Sequence, residues 1–180
     1  NKEFYGTLKH GKLKETPIDL SLCQGKQLCC VDVSNGNEIR VGRSFWRESE
    51  VEFIGQYVRK IVRLSDEQGK KYSIGVITFY SEQNRRLKQK IYDMVGENRE
   101  RLQIGTVDSF QGKEFDFVIL SCVRSNSHGE VGFLKSVQRQ CVAFSRAKVQ
   151  LVVCGDFRTL QSDPYLKNLY ETCHGGITNA

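Results

Sequence analysis

The sequence has no apolar run near the ~20 residues that a membrane-crossing helix needs. Its longest are Ser73–Tyr80, Phe115–Val123 and Val149–Cys154, and no membrane partner is expected. It has only two prolines, with 39% hydrophobic and 27% charged residues, which excludes a disordered or fibrous chain and favours an ordinary packed domain. No C-x-x-C pair occurs. The seven cysteines are odd in number and scattered, so they do not form a disulfide framework. Cys122 and Cys154 lie in apolar runs, where a free thiol acts as a small hydrophobe, and a reducing compartment, nucleus or cytoplasm, is expected. Cys29-Cys30 and Cys173-His174 lack a second ligand pair at zinc spacing, so no metal site is expected. No secretory signal is visible, and the chain opens at Asn1 as a fragment would.

A phosphate-cradling loop is also missing. Such a loop needs Gly-Lys followed by Ser or Thr. Here Lys12 is followed by Leu13, Lys26 by Gln27, Lys70 by Lys71 and Lys113 by Glu114. Asp66-Glu67-Gln68-Gly69 has the letters of a metal-binding acidic box, but it ends a helix and reads as a solvated turn. Neither a G-x-S-x-G elbow nor a G-x-G-x-x-G fingerprint is present. The chain alone is therefore not a complete nucleotide hydrolase.

What is present fits one domain, since 180 residues suffice for one good core and are too few for two. The net charge of +6 admits a polyanion as partner, although a solvated face would carry as much. Residues 1–26 have little periodicity and read as an irregular leader packing on a core of 27–180. Gln27–Val33 reads as a strand, followed by the turn-rich Ser34–Asn37. Helical spacing of Val51, Ile54, Val58, Ile61 and Val62 predicts a helix over Glu50–Leu64 with a charged opposite side. Ser73–Tyr80 is a predicted strand, Ser81–Val95 a helix, Gly105–Glu114 a loop and Phe115–Val123 a strand. A helix over Val137–Lys148, a strand over Val149–Cys154 and a last helix begun by Asp163-Pro164 complete the pass. Apolar strands alternating with helices predict an α/β fold with a mostly parallel sheet covered on both faces, whose ligand loops lie at the carboxyl ends of the strands.

Two segments carry candidate chemistry. Thr106–Glu114 sets small and polar residues just before a buried strand, with Gly112 where backbone could approach a ligand and a carboxylate at Glu114. An ordinary surface loop is the competing interpretation. In Val137–Lys148, helical spacing places Val137, Cys141 and Phe144 on one stripe and Arg139 and Arg146 on the opposite face, ~10 Å apart. Such an arginine pair more often simply faces solvent.

Ser73–Gln83 (SIGVITFYSEQ), Thr106–Asn126 (TVDSFQGKEFDFVILSCVRSN) and Gly132–Lys148 (GFLKSVQRQCVAFSRAK) resemble, in order and spacing, motifs IV, V and VI of superfamily-one helicases, in the branch of the nonsense-mediated-decay helicase and senataxin. Phe4-Tyr5-Gly6-Thr7-Leu8 resembles the segment after the first motor domain's last motif. The resemblance spans nearly the whole chain and implies a second RecA-like domain, three-layered, without its own phosphate loop.

By that resemblance, Arg146 is the arginine finger toward the γ-phosphate of ATP with Mg2+, the metal being held mainly by the first RecA-like domain of the same chain. Gly112 and Glu114 contact the nucleotide, the glutamate accepting a ribose hydroxyl, and Arg139 serves the nucleotide side and its coupling. Thr106 and the loop Thr78, Phe79, Tyr80 contact the backbone of single-stranded RNA or DNA, and Gln83 and Gln111 couple the two sites. A monomer is expected, translocating 5′ to 3′ when intact, and an isolated domain without ATPase activity.

The sequence departs from the family where Phe79 replaces a proline, and where Ser136, Gln138 and Cys141 replace an acidic residue, an arginine and an asparagine. Those changes keep open an ATP-gated RNA clamp or scaffold with weak catalysis.

Overall fold

In a computed structural model, residues 26–173 and 177–178 are described. The leader, with its Phe4–Leu8 resemblance, lies outside them. The strands are β1 Leu28–Asp32, β2 Ile39–Val41, β3 Ser44–Trp46, β4 Ile74–Thr78, β5 Leu102–Thr106, β6 Phe115–Ser121, β7 Ala147–Gly155 and β8 Ile177–Thr178. The helices are α1 Glu48–Glu67, α2 Ser81–Val95, α3 Val137–Phe144, α4 Phe157–Leu160 and α5 Pro164–Thr172. Six strands form one sheet in the order β5-β4-β6-β7-β1-β8, with neighbouring strands parallel throughout, while β2 and β3 make a separate antiparallel hairpin.

Both faces of the sheet are apolar because its central strands have no polar side. In β6, Phe117 and Ile119 point toward α1 and α2, where Ile54, Val58, Ile61, Leu87 and Ile91 bury against them. Val118 and Leu120 point the other way, onto Phe110, Leu134, Ala143, Phe157 and Leu160. This period of two with apolar residues in both phases produces a three-layer α/β domain, as expected. Cys29, Cys30, Cys122 and Cys154 are buried within it and form no disulfide among the described residues.

Several elements differ from expectation. Helix α1 is longer at both ends than Glu50–Leu64, and at its start Arg47 and Glu50 make a buried ion pair instead of facing water. The β2–β3 hairpin and strand β5 have no counterpart in the sequence pattern, since Arg40, Arg43 and Gln103 interrupt their apolar residues. Strand β6 stops at Ser121 because Val123 adopts φ +70°, outside strand geometry. Helix α3 ends at Phe144, and its buried residues are Gln140 and Ala143 rather than Val137, Cys141 and Phe144. Gln140 misleads the periodicity: its amide donates to Leu134 O at 2.6 Å from the core-facing side.

Candidate functional site

The sequence-predicted residues divide between two opposite edges of the sheet. Thr78 ends β4 with Phe79 and Tyr80 directly after it, and Thr106 ends β5, so they lie at the carboxyl edge. Gly112 and Glu114 immediately precede β6 and Arg146 immediately precedes β7, which places them at the amino rim. This division departs from the expectation that the candidate loops all lie at the carboxyl ends. Its cause is the short connection of residues 107–114, which carries the chain from the carboxyl end of β5 back across the sheet to the amino end of β6.

At the amino rim the chain leaves α3 through Ser145, whose hydroxyl donates to Cys141 O at 2.7 Å and stops the helix. Arg146 follows, and its own carbonyl accepts from Phe115 N at 2.9 Å, anchoring it between β6 and β7. Its half-buried guanidinium folds back over the helix end. Nε donates to Val142 O at 3.0 Å, Nη1 to Lys113 O at 3.2 Å and Nη2 to Ser145 Oγ at 2.7 Å. A cation at a helix carboxyl terminus is also favoured by the backbone dipoles. Gly112 is exposed at φ +75°, and a Cβ there would meet nothing within 4 Å, so this turn is open to an approaching ligand. Glu114 is exposed and lies 3.6 Å from Lys148 Nζ. Gln111 is exposed on the same turn.

Arg139 does not share a helix face with Arg146, since the helix ends before Arg146. Its guanidinium instead reaches Asp108, Nη2 to Oδ2 at 3.1 Å and Nε to Oδ1 at 3.3 Å, joining α3 to the connection between β5 and β6. That connection lies flat on the sheet because Gly75 and Gly105 leave room. A Cβ on Gly75 would come within 2.9 Å of the Phe110 ring, and one on Gly105 would collide with Ser109 Oγ. Phe110 is fully buried between these glycines and Phe115, its ring centroid 5.3 Å from that of Phe115. Thr106 and Gly112 are thus the two ends of one tightly seated segment.

The carboxyl edge carries an open groove of ≈ 490 Å³, lined by Arg43, Ser44, Phe79, Thr106, Asp108 and Phe133 among others. Thr106 is partly exposed there and Phe79 is 7% exposed. Thr78 and Tyr80, by contrast, are buried and do not present their side chains to it. The Tyr80 hydroxyl donates to Val131 O at 3.5 Å and accepts from Phe133 N at 3.3 Å, and burial pushes its phenol above the usual range.

Gln83 is fully buried behind the edge and belongs to a polar network that the sequence did not reveal. Its Oε1 accepts from Arg47 N at 2.9 Å and its Nε2 donates to Ser121 Oγ at 2.8 Å. Ser121 Oγ donates in turn to Glu50 at 2.6 Å, and Glu50 also accepts from Val123 N at 3.0 Å and Arg47 Nη1 at 3.1 Å. Burial pushes the Glu50 carboxyl up, against the opposing pull of the Arg47 charge. Beside this network, Arg124 makes a two-pronged pair with Glu38 at 2.9 and 3.1 Å and lies 4.5 Å from the Phe45 ring centre. The signal for these residues was weak, because charged side chains at a helix start or just past a strand ordinarily face water.

Among the described residues no group of three or more His, Cys, Asp or Glu side chains could hold a metal ion, and no helix is long and apolar enough to cross a membrane. Open backbone at Gly112 beside a carboxylate and a guanidinium fits part of a nucleotide site. A Gly-Lys-Ser/Thr phosphate loop does not occur in the sequence.

Residues 1–158 match the family described as an AAA domain. The chain is 36% identical to the probable helicase MAGATAMA 3 of Arabidopsis thaliana, over 96% of this chain and 22% of that protein. It is 36% identical to human probable helicase senataxin, over 78% of this chain and 5% of that protein. To regulator of nonsense transcripts 1 of Dictyostelium discoideum it is also 36% identical, over 71% of this chain and 10% of that protein. The chain therefore spans less than a quarter of the length of each of these relatives. A parallel three-layer sheet, a matching family across most of the sequence and relatives named as helicases agree: this chain belongs to the superfamily-one helicases, in the branch of the nonsense-mediated-decay helicase and senataxin.

Proposed function

We propose that this chain is the second motor domain of an ATP-dependent helicase, acting on single-stranded RNA or DNA together with a preceding RecA-like domain that brings the phosphate loop. The supporting observation is the single segment Thr106–Glu114, which has one end in the carboxyl-edge groove and the other at the open turn of the amino rim. Thr106 and the groove would hold the strand backbone. Gly112 and Glu114 would meet the nucleotide, Glu114 accepting a ribose hydroxyl in place of Lys148, and the Asp108–Arg139 pair would tie α3 to any movement of the segment.

ATP with Mg2+, held mainly by the preceding domain, supplies the phosphoanhydride bond. Arg146 would offset the negative charge that grows on the γ-phosphate side of that bond during cleavage. To reach it, the guanidinium would exchange some of its three intrachain acceptors for phosphate oxygens. Gln83 and Gln111 would act indirectly, Gln83 by fixing the strand ends behind the groove and Gln111 through the rim turn. Movement of the intact protein is proposed as 5′ to 3′, with the isolated chain binding strands weakly and turning over no ATP.

A second reading, an ATP-gated clamp with weak catalysis, draws on Ser136, whose hydroxyl accepts from Arg139 N at 3.4 Å and offers no acidic partner to motif VI. The two are separated by Arg146→Ala in the full-length protein. Loss of ~10³-fold or more in strand-stimulated ATP turnover is expected for a finger, whereas an unchanged rate with intact strand binding would leave the clamp.

A further inference from the structure

Phe133 is 50% exposed, more than the other exposed large hydrophobics, and it lies on the lip of the carboxyl-edge groove. Half of this ring is open to solvent while its base is firmly held. Its backbone N–H donates to the Tyr80 hydroxyl, and its ring lies 5.4 Å from the Tyr80 ring, centre to centre. Tyr80 is itself buried and braced edge-on by Phe45 at 5.7 Å, and Phe45 is backed by the Arg124 guanidinium at 4.5 Å. The preceding Gly132 adopts φ +55°, and a Cβ there would collide with the Arg124 guanidinium and the Tyr80 hydroxyl. Positive φ combined with this close approach fixes the turn that holds Phe133 outward.

The second observation is on the hairpin. Arg43, at the β2–β3 turn, lines the same groove, is exposed, and has no hydrogen bond or ion pair among the described residues. Its neighbours in the groove include Ser44, Ser81 and Thr106, all neutral hydrogen-bonding groups. A fixed, half-exposed aromatic ring beside an unpaired guanidinium and neutral polar groups is the combination that takes a nucleobase on the ring and a phosphate on the cation. Among the described residues, the acid lining the groove is Asp108, which is already paired with Arg139.

We infer that Phe133 is a stacking platform for one base of the bound strand and Arg43 a contact to a neighbouring phosphate, a base-and-backbone clamp formed between the β2–β3 hairpin and the turn before α3. The clamp rests on the proposal that this groove carries single-stranded nucleic acid. Tyr80 becomes a positioning residue, propping the ring from behind without touching the strand.

Fluorescence anisotropy tests the clamp, using the full-length protein and labelled thymidine oligonucleotides of about 12 nucleotides, within the usual single-strand site sizes, intact or abasic at central positions, across a salt series. Phe133→Ala is expected to weaken binding of the intact strand about 10-fold or more, leave the salt slope unchanged and abolish discrimination against the abasic strand. Phe133→Trp should retain both affinity and discrimination, and its indole emission should be quenched by the stacked base. Arg43→Ala should instead flatten the log–log salt slope by about 0.7, the release expected for one phosphate contact on a single strand. If Phe133→Ala binds as the parent does, or if Phe133→Leu behaves like the parent, the ring does not stack and the clamp is overturned while strand binding stands. If Phe133→Ala lowers ATP turnover with strand affinity intact, the patch contacts protein and the clamp is again overturned. If the parent protein binds neither oligonucleotide, the strand-binding function itself fails.

Discussion

Replacing Glu50 with alanine tests the network behind the carboxyl edge. The Arg47 and Glu50 side chains are both 0% exposed, and the carboxylate receives Ser121 Oγ, Val123 N and Arg47 Nη1. Glu50→Ala leaves the Arg47 guanidinium buried with only the carbonyls of Val33 and Asn35 as acceptors. Breaking a buried pair in this way costs about 3–5 kcal/mol, because an uncompensated charge stays inside. It also releases Val123, a β-branched residue at φ +70°, a conformation costing about 1–2 kcal/mol that the Glu50 bond helps to hold. At roughly 2–4 °C per kcal/mol for a domain of this size, the melting temperature should fall by about 6–20 °C. Calorimetry and urea unfolding at neutral pH measure it. The double variant Arg47→Met/Glu50→Leu should recover most of the electrostatic part, since no charge then remains buried. A loss under about 1 kcal/mol for Glu50→Ala, or a double variant no better than the single one, would refute the argument that a stranded charge dominates. Titration adds a sign. Burial raises the Glu50 carboxyl above its ordinary 4.5, so ionising it costs more in the folded chain than in the unfolded one. The stability linked to its protonation is fully present below 4.5 and is lost as pH rises through the folded-state value, above which the Arg47 pairing is what Glu50 still contributes. Glu50→Gln should lack that decline.

Gly75→Ala should destabilise by about 1–3 kcal/mol through overpacking, because its Cβ meets two aromatic rings at 2.9 and 3.0 Å. Urea unfolding reads the loss, and Phe110→Leu added to it should cost less than the sum of the two single changes; strict additivity would mean the contact is not real. Glu82 behaves oppositely to Glu50 on titration. Hydrogen bonds from Arg85 and Arg86 hold its carboxyl down at about 2, so its contribution is present above 4.5 and is lost as pH falls toward about 2. Glu82→Gln should flatten the acid limb of a stability–pH curve, and an unaltered limb would count against the pairing.

The sheet was legible because its strands are apolar in both phases. Runs such as Phe117–Leu120 have no polar side to show water and can only be central. Strand β5 escaped notice because Gly105 and Gln103 break its pattern, and both serve the segment lying over it. Gly105 makes room, and Gln103 donates to Ser109 O at 3.2 Å. The motif segments were legible as stretches of sequence that resemble the family, while the exposure of their side chains was not. Thr78, Tyr80 and Gln83 proved buried, and Arg146 stands beyond α3 instead of on its face. Local spacing cannot anticipate a helix stopped by a serine hydroxyl, nor a glutamine turned inward at residue 140. The Arg47–Glu50 pair was hidden for a related reason: what makes those charges internal is the strand ends above them, which lie far off in sequence.

The flush seating of Phe110 on Gly75 and Gly105 leaves the chain between the groove and the rim no spare length to take up a shift. A ligand that displaced the turn at Gly112 would drag Thr106 with it, as a rigid rocker transmits a push from one arm to the other. Added slack, such as a residue inserted after Gln111, would let the two arms move independently and silence the message between them.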